Sequence, residues 1–156
     1  MILEALQPIE NVSLLTGHIL VTFMEYDTAQ GIFLECNRED LAIEMRMNML
    51  HFDEALSLAS KSRSKNCVFG VSLKYGQHLE SIGEHARALG MYEMACNFVD
   101  ATKANKSTDD CAGGVARTSI FLGDFERGIR IAKQIKSKRL QIWCAELLVS
   151  LNQPME

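Results

Sequence analysis

The sequence predicts an all-α fold, an α-solenoid of stacked antiparallel helical hairpins with about nine helices. Three observations predict it. A short phrase recurs four times, as MEYDTAQGIF, LHFDEALSLA, IGEHARALGMYEMA and LGDFERGIRIAK, and each copy reads as a helix end, a tight turn and a new helix. Strand-like alternation of apolar and polar residues persists nowhere. The only two prolines, Pro8 and Pro154, stand near the ends, so almost nothing inside the chain breaks a helix.

The four phrases align on the residue before the polar turn: Met24, Leu50, Gly83 and Gly123. Five positions later stand Ala29, Ala55, Ala88 and Gly128, all small, and seven positions earlier stand Gly17, Ile43, Gly76 and Ala116. Two positions after the anchor come Tyr26, Phe52, His85 and Phe125. The anchors are 26, 33 and 40 residues apart, irregular but centred on the period of helix–turn–helix repeats such as the tetratricopeptide kind. Antiparallel helices approach to about 8–10 Å only where facing side chains are small. Gly17, Ala29, Ala55, Gly76, Ala88, Ala116 and Gly128 are therefore the expected helix-crossing positions. Tyr26, Phe52 and Phe125 are expected to cover hairpin ends, and Gly83 and Gly123 to take the left-handed conformation of a helix C-cap.

The helices follow in order. The first hairpin is expected near 10–23 and 27–37. The second, near 40–50 and 53–63, opens on Glu39 and Asp40, which complement a helix dipole, and continues through Leu56 and Ala59. A polar joint, SKSRSKN (60–66), precedes the third, near 67–82 and 85–100, where Leu89, Tyr92 and Ala95 recur at helical spacing. DATKANKSTDD (100–110) is the longest loop. The fourth hairpin is expected near 108–122 and 125–136, with Ser107 and Asp110 spaced as a capping box and Asp109 in the first turn. A last helix near 138–151 carries Leu140, Trp143, Leu147, Leu148 and Leu151, an apolar stripe in want of a partner. Because the chain stops where another helix should begin, residues 1–156 are expected to be one solenoid segment of a longer protein, able to self-associate through the final helix.

Composition narrows the function. An apolar fraction of 47% with 23% charged residues suits a soluble globular chain. A net charge of −4 argues against nucleic acid or an anionic membrane as the main partner. Neither a membrane-length apolar run nor a secretory signal is read. The five cysteines, Cys36, Cys67, Cys96, Cys111 and Cys144, are widely spaced and lack any C-x-x-C pair. Most are expected to sit as small apolar residues on buried helix faces in a reducing compartment.

No constellation for catalysis stands out. CAGGVARTS lacks the spacing and the lysine of a phosphate loop, and its paired glycines suit close helix packing. SRSK (62–65) matches a β-lactam-enzyme motif in four letters without that site's other elements. His18, His51, His78 and His85 form no H-E-x-x-H pattern. No enzyme activity, cofactor or metal is expected. The bases of AKQIKSKRL (132–140) stand at a helix C-terminus, where cations are favoured. Arg46, Lys74 and Arg117 could line a concave peptide groove, but no regular asparagine accompanies them.

Three stretches carry a family resemblance. LLTGHIL (14–20), LAIEMRMNMLHFDEALSLA (41–59) and CAGGVARTSIFLGDFERGIR (111–130) resemble the WD repeat-containing protein 19 family, a large subunit of the intraflagellar transport A complex. GVARTSI followed by GDFERG, in that order and spacing, is the most specific part. The resemblance runs from about Gln7 to Asn152 and covers the early part of the family's helical region, beyond its β-propellers, which are absent here. The loop 100–110 is longer than usual for the family. The resemblance implies a non-enzymatic scaffold that binds other protein subunits, acts in retrograde ciliary transport and cilium assembly, and resides in the cilium and the cytoplasm around the basal body. The alternatives of the same fold are a coatomer- or clathrin-like vesicle-coat subunit and a generic peptide-binding tetratricopeptide module. The alternative of another class is a small helical enzyme or metal protein.

Overall fold

The structure, a computed structural model, describes residues 12–62, 65–98 and 106–151. Expectations that fall on 1–11, 63–64, 99–105 and 152–156 lie outside the described residues. Nine helices and no strand occur among the described residues: α1 (Val12–Thr22), α2 (Tyr26–Glu35), α3 (Glu39–Asn48), α4 (Phe52–Lys61), α5 (Lys65–Ser81), α6 (His85–Asn97), α7 (Lys106–Phe121), α8 (Phe125–Gln134) and α9 (Lys138–Leu151). The chain is all-α and built from antiparallel helical hairpins in the manner of an α-solenoid. No helix among the described residues is long and apolar enough to cross a membrane.

One turn design explains the connections. Met24, Asn37, Leu50, Gly83 and Gly123 all have positive φ, at 65°, 57°, 60°, 85° and 87°. Around each, the chain closes the same two hydrogen bonds. The N–H of Glu25 donates to Leu20 O (3.0 Å) and that of Met24 to Val21 O (3.1 Å). Arg38 and Asn37, His51 and Leu50, Glu84 and Gly83, and Asp124 and Gly123 repeat this pattern, which satisfies the last orphan carbonyls of the preceding helix. The residue after each left-handed position already caps the next helix, and the first α-helical bond back to it comes from Ala29, Ala55, Ala88 or Gly128. Ala42 does the same at the α2–α3 connection.

Two compact units divide the chain, with the boundary between Cys67 and Val68. In the first, α1 packs on α2, α2 on α3 and α3 on α4. Its core gathers Ala29, Phe33, Ala42 and Met45, with Leu14, Leu20, Leu41 and Leu58 packed around them. In the second, α6 packs on α7, α7 on α8, and α9 on both α7 and α8. Ala116, Ile120, Ile135 and Cys144 form a core there, enclosed by Ile131, Leu140, Leu147 and Leu148.

Three expectations change. α7 starts at Lys106, so Ser107 lies inside the helix rather than before it. Asp109 reaches instead across to the α8–α9 turn, where its carboxylate accepts from the backbone N–H of Ser137 at 3.0 Å. Leu140, Leu147 and Leu148 already have partners, because α9 folds back onto α7 and α8. Cys96 and Cys111 are joined by a disulfide with Cα atoms 6.1 Å apart, a pairing not expected of them, although Cys111 is fully buried. Their 15-residue spacing conceals the pairing, since the packing of α6 on α7 brings them together. Cys144 is buried and unpaired, while Cys36 and Cys67 are half-buried.

Candidate interaction surface

The second unit is organised around the ring of Tyr92, which is fully buried on α6. Two glycines make room for it. A Cβ on Gly76 of α5 would stand 3.0 Å from the ring, and one on Gly114 of α7 would stand 2.5 Å from it. The Tyr92 hydroxyl donates to Glu80 Oε2 at 2.5 Å. Glu80 in turn holds Arg117 in a two-pronged ion pair, with Nε at 2.7 Å and Nη2 at 2.9 Å. The Arg117 guanidinium lies 4.0 Å from the centre of the Trp143 ring, in a cation–π contact that ties α9 to the group. Burial, the largest influence on Glu80, raises its pKa, but hydrogen bonds from Arg117 and Tyr92 outweigh it and the carboxyl ends below its ordinary value. Burial and the bond to Glu80 together push the Tyr92 phenol upward. A fully paired group of this kind orients helices and offers no free acid or base.

In the first unit the corresponding polar link is Arg46 of α3. It is buried, donates through Nε to Gln30 Oε1 at 2.7 Å, and forms an ion pair with Asp27 at the start of α2. Its Nη1 lies 3.3 Å from His51 Nδ1, and the His51 ring meets the edge of Tyr26 with centroids 5.9 Å apart. Here Phe33 is the buried ring, and a Cβ on Gly17 of α1 would stand 2.6 Å from it. Arg46 and Arg117 are thus enclosed and bonded, which removes them from the peptide groove of the alternative reading; Lys74 is exposed.

Of the residues singled out by the repeat, Gly17, Ala29, Ala55, Gly76, Ala88, Ala116 and Gly128 are all buried. Gly128 lies against α7, where a Cβ would meet Ile120 at 2.5 Å and the Ala116 carbonyl at 3.0 Å. Phe52 is buried, Tyr26 half-buried and Phe125 exposed. His85, in the same slot, stacks on Phe121 with centroids 4.1 Å apart. Sequence reasoning missed Asn37, whose tolerance of the left-handed conformation is a readable signal. It also missed Phe33 and took Tyr92 only as one of several apolar helix positions, although both stand nine positions after the anchor in the two repeats that carry Gly17 and Gly76.

Two surface features of the second unit are open to partners. A groove of about 460 Å³ is lined by Glu93, Cys96, Asn97, Ala112, Val115, Arg127 and Ile131, with Arg127 and Glu93 paired across it. The outer face of α9 shows Ile142, Trp143, Val149 and Leu151 to solvent. Among the described residues, no group of His, Cys, Asp and Glu side chains is arranged to hold a metal ion.

No protein-family model matches the chain. Curated relatives do. WD repeat-containing protein dyf-2 of Caenorhabditis elegans is 33% identical over 156 residues, and WD repeat-containing protein 19 of Mus musculus and of Homo sapiens are each 34% identical over 154 residues. These alignments take in 98–99% of this chain and 11% of each relative. The chain is similar to one segment of WD repeat-containing protein 19. The expected extent of the resemblance, from about Gln7 to Asn152, agrees with these alignments, and the chain spans about a ninth of its relatives' length.

Proposed function

We propose that the chain acts as a non-enzymatic protein–protein scaffold, within a subunit of the intraflagellar transport A complex that serves retrograde ciliary transport and cilium assembly. Its partners are other protein subunits of that complex, and its place is the cilium and the cytoplasm around the basal body. No cofactor enters this reading. The observation that carries it is the similarity of 33–34% over nearly the whole chain to WD repeat-containing protein 19 and dyf-2. The fold agrees in kind: its buried polar groups are spent on joining helices, and its open features are shallow surfaces suited to other proteins. Affinity capture of the tagged protein from ciliated cells tests the reading. Ciliary transport subunits are the expected recovery; coat proteins without any transport subunit would replace it with the vesicle-coat reading. The exposed α9 residues Ile142, Trp143 and Val149 favour a second contact, self-association of the isolated chain, which a concentration-independent monomer in sedimentation would refute.

A further inference from the structure

We propose that the end of the first unit formed by the α1–α2 and α3–α4 turns docks a basic amphipathic segment of a partner protein. Both turns lie at the same end, because the chain reverses at each connection, and the Tyr26–His51 ring contact joins them. This end exposes Phe23, Met24 and Leu50, at 72%, 74% and 58% of their full surface.

Two of these side chains stand where local energetics disfavour them. Met24 and Leu50 hold the left-handed conformation that costs an L-residue and costs glycine almost nothing. At the matching turns of the second unit the chain uses Gly83 and Gly123. Glycine would close the same two backbone bonds in the first unit, without strain and without wetting a large apolar side chain. A contact made by Met24 and Leu50 with another molecule offsets both costs.

Charge selects the occupant. Glu25, Asp27, Asp53 and Glu54 surround the apolar residues. The cation among them is Arg46, buried and bonded to Asp27 and Gln30 beside His51. The N-termini of α2 and α4 each add the equivalent of about +0.5 charge and the C-termini of α1 and α3 about −0.5, so the dipoles cancel and the end stays net negative. That field repels anionic lipid and nucleic acid and favours an apolar stripe flanked by lysine or arginine.

Fluorescence anisotropy with a synthetic helical peptide carrying a leucine stripe between lysines tests the proposal on the whole chain. The peptide is expected to bind, and a scrambled peptide of the same composition to bind about tenfold more weakly or less. Met24→Gly with Leu50→Gly is expected to weaken binding about tenfold while the melting temperature holds or rises, which separates contact from folding. Glu25→Lys with Glu54→Lys is expected to weaken it comparably. Absence of binding, equal binding of the scrambled peptide, or undiminished binding by the glycine variant would overturn the proposal. So would a preference of the wild-type chain for vesicles containing phosphatidylserine over the lysine peptide.

Discussion

The two units solve the same packing problem with different chemistry. Among the described residues each buries one arginine, but Arg117 faces a carboxylate that is itself only 15% exposed, whereas the Asp27 partner of Arg46 is 95% exposed. Each admits one buried ring beside a glycine, but Tyr92 is clasped from two sides by Gly76 and Gly114, while Phe33 meets Gly17. At the turns shared by the repeat, the second unit uses glycine and the first uses methionine and leucine. The backbone plan is therefore separable from its energetics. The second unit encloses both partners of its arginine pair, and the first leaves the carboxylate of its pair in water and puts methionine and leucine at its left-handed turns.

The largest expected effect tests the arginines. Arg117→Met leaves Glu80 buried without its cation and should destabilise by about 3–5 kcal/mol. Arg46→Met strands no buried charge, since Asp27 is solvated, and should cost about 1–2 kcal/mol, chiefly the lost hydrogen bond to Gln30. Denaturant midpoints for the two variants measure the contrast; equal losses would break it.

A smaller effect tests the rings. Gly114→Ala places a methyl group against the body of the Tyr92 ring, whose movement Gly76, also close against the ring, and the bond of its hydroxyl to Glu80 restrict. A cost of about 1–3 kcal/mol is expected, read from thermal melting. Unchanged melting would mean that Tyr92 has room to move.

The effect smallest near neutral pH sharpens the electrostatic side. Glu80 holds its charge more firmly in the fold than a free carboxyl with the ordinary value of 4.5. Protons therefore favour the unfolded chain. Its contribution is complete above that value and drains away as pH falls below it, through the lowered folded value. An acid titration should show the wild type losing part of its lead over Glu80→Gln in that range, while a constant difference down to pH 3 or so would assign the pair no role in acid stability.

Much of the fold was legible because its cause is local. The anchors Met24, Leu50, Gly83 and Gly123 are marked by the polar turn that follows each, and all four have positive φ, although that conformation was expected only of Gly83 and Gly123. Asn37 escaped because its turn lacks the ring that marked the others. The group around Arg117 was illegible for a different reason. Glu80 and Arg117 are 37 residues apart, and nothing near either one names the other. The disulfide of Cys96 and Cys111 likewise depends on the packing of α6 against α7, not on any motif.

By itself, the sequence determined where helices run and where the chain reverses, because those follow from short-range sterics, apolar spacing and the conformations each residue tolerates. Only the tertiary structure decided that Arg46 and Arg117 are enclosed, that glycines shelter rings, and which apolar residues of α9 remain in water. Those outcomes depend on which helix faces meet, and contact between distant faces is settled by the packing of the whole rather than by any stretch of chain.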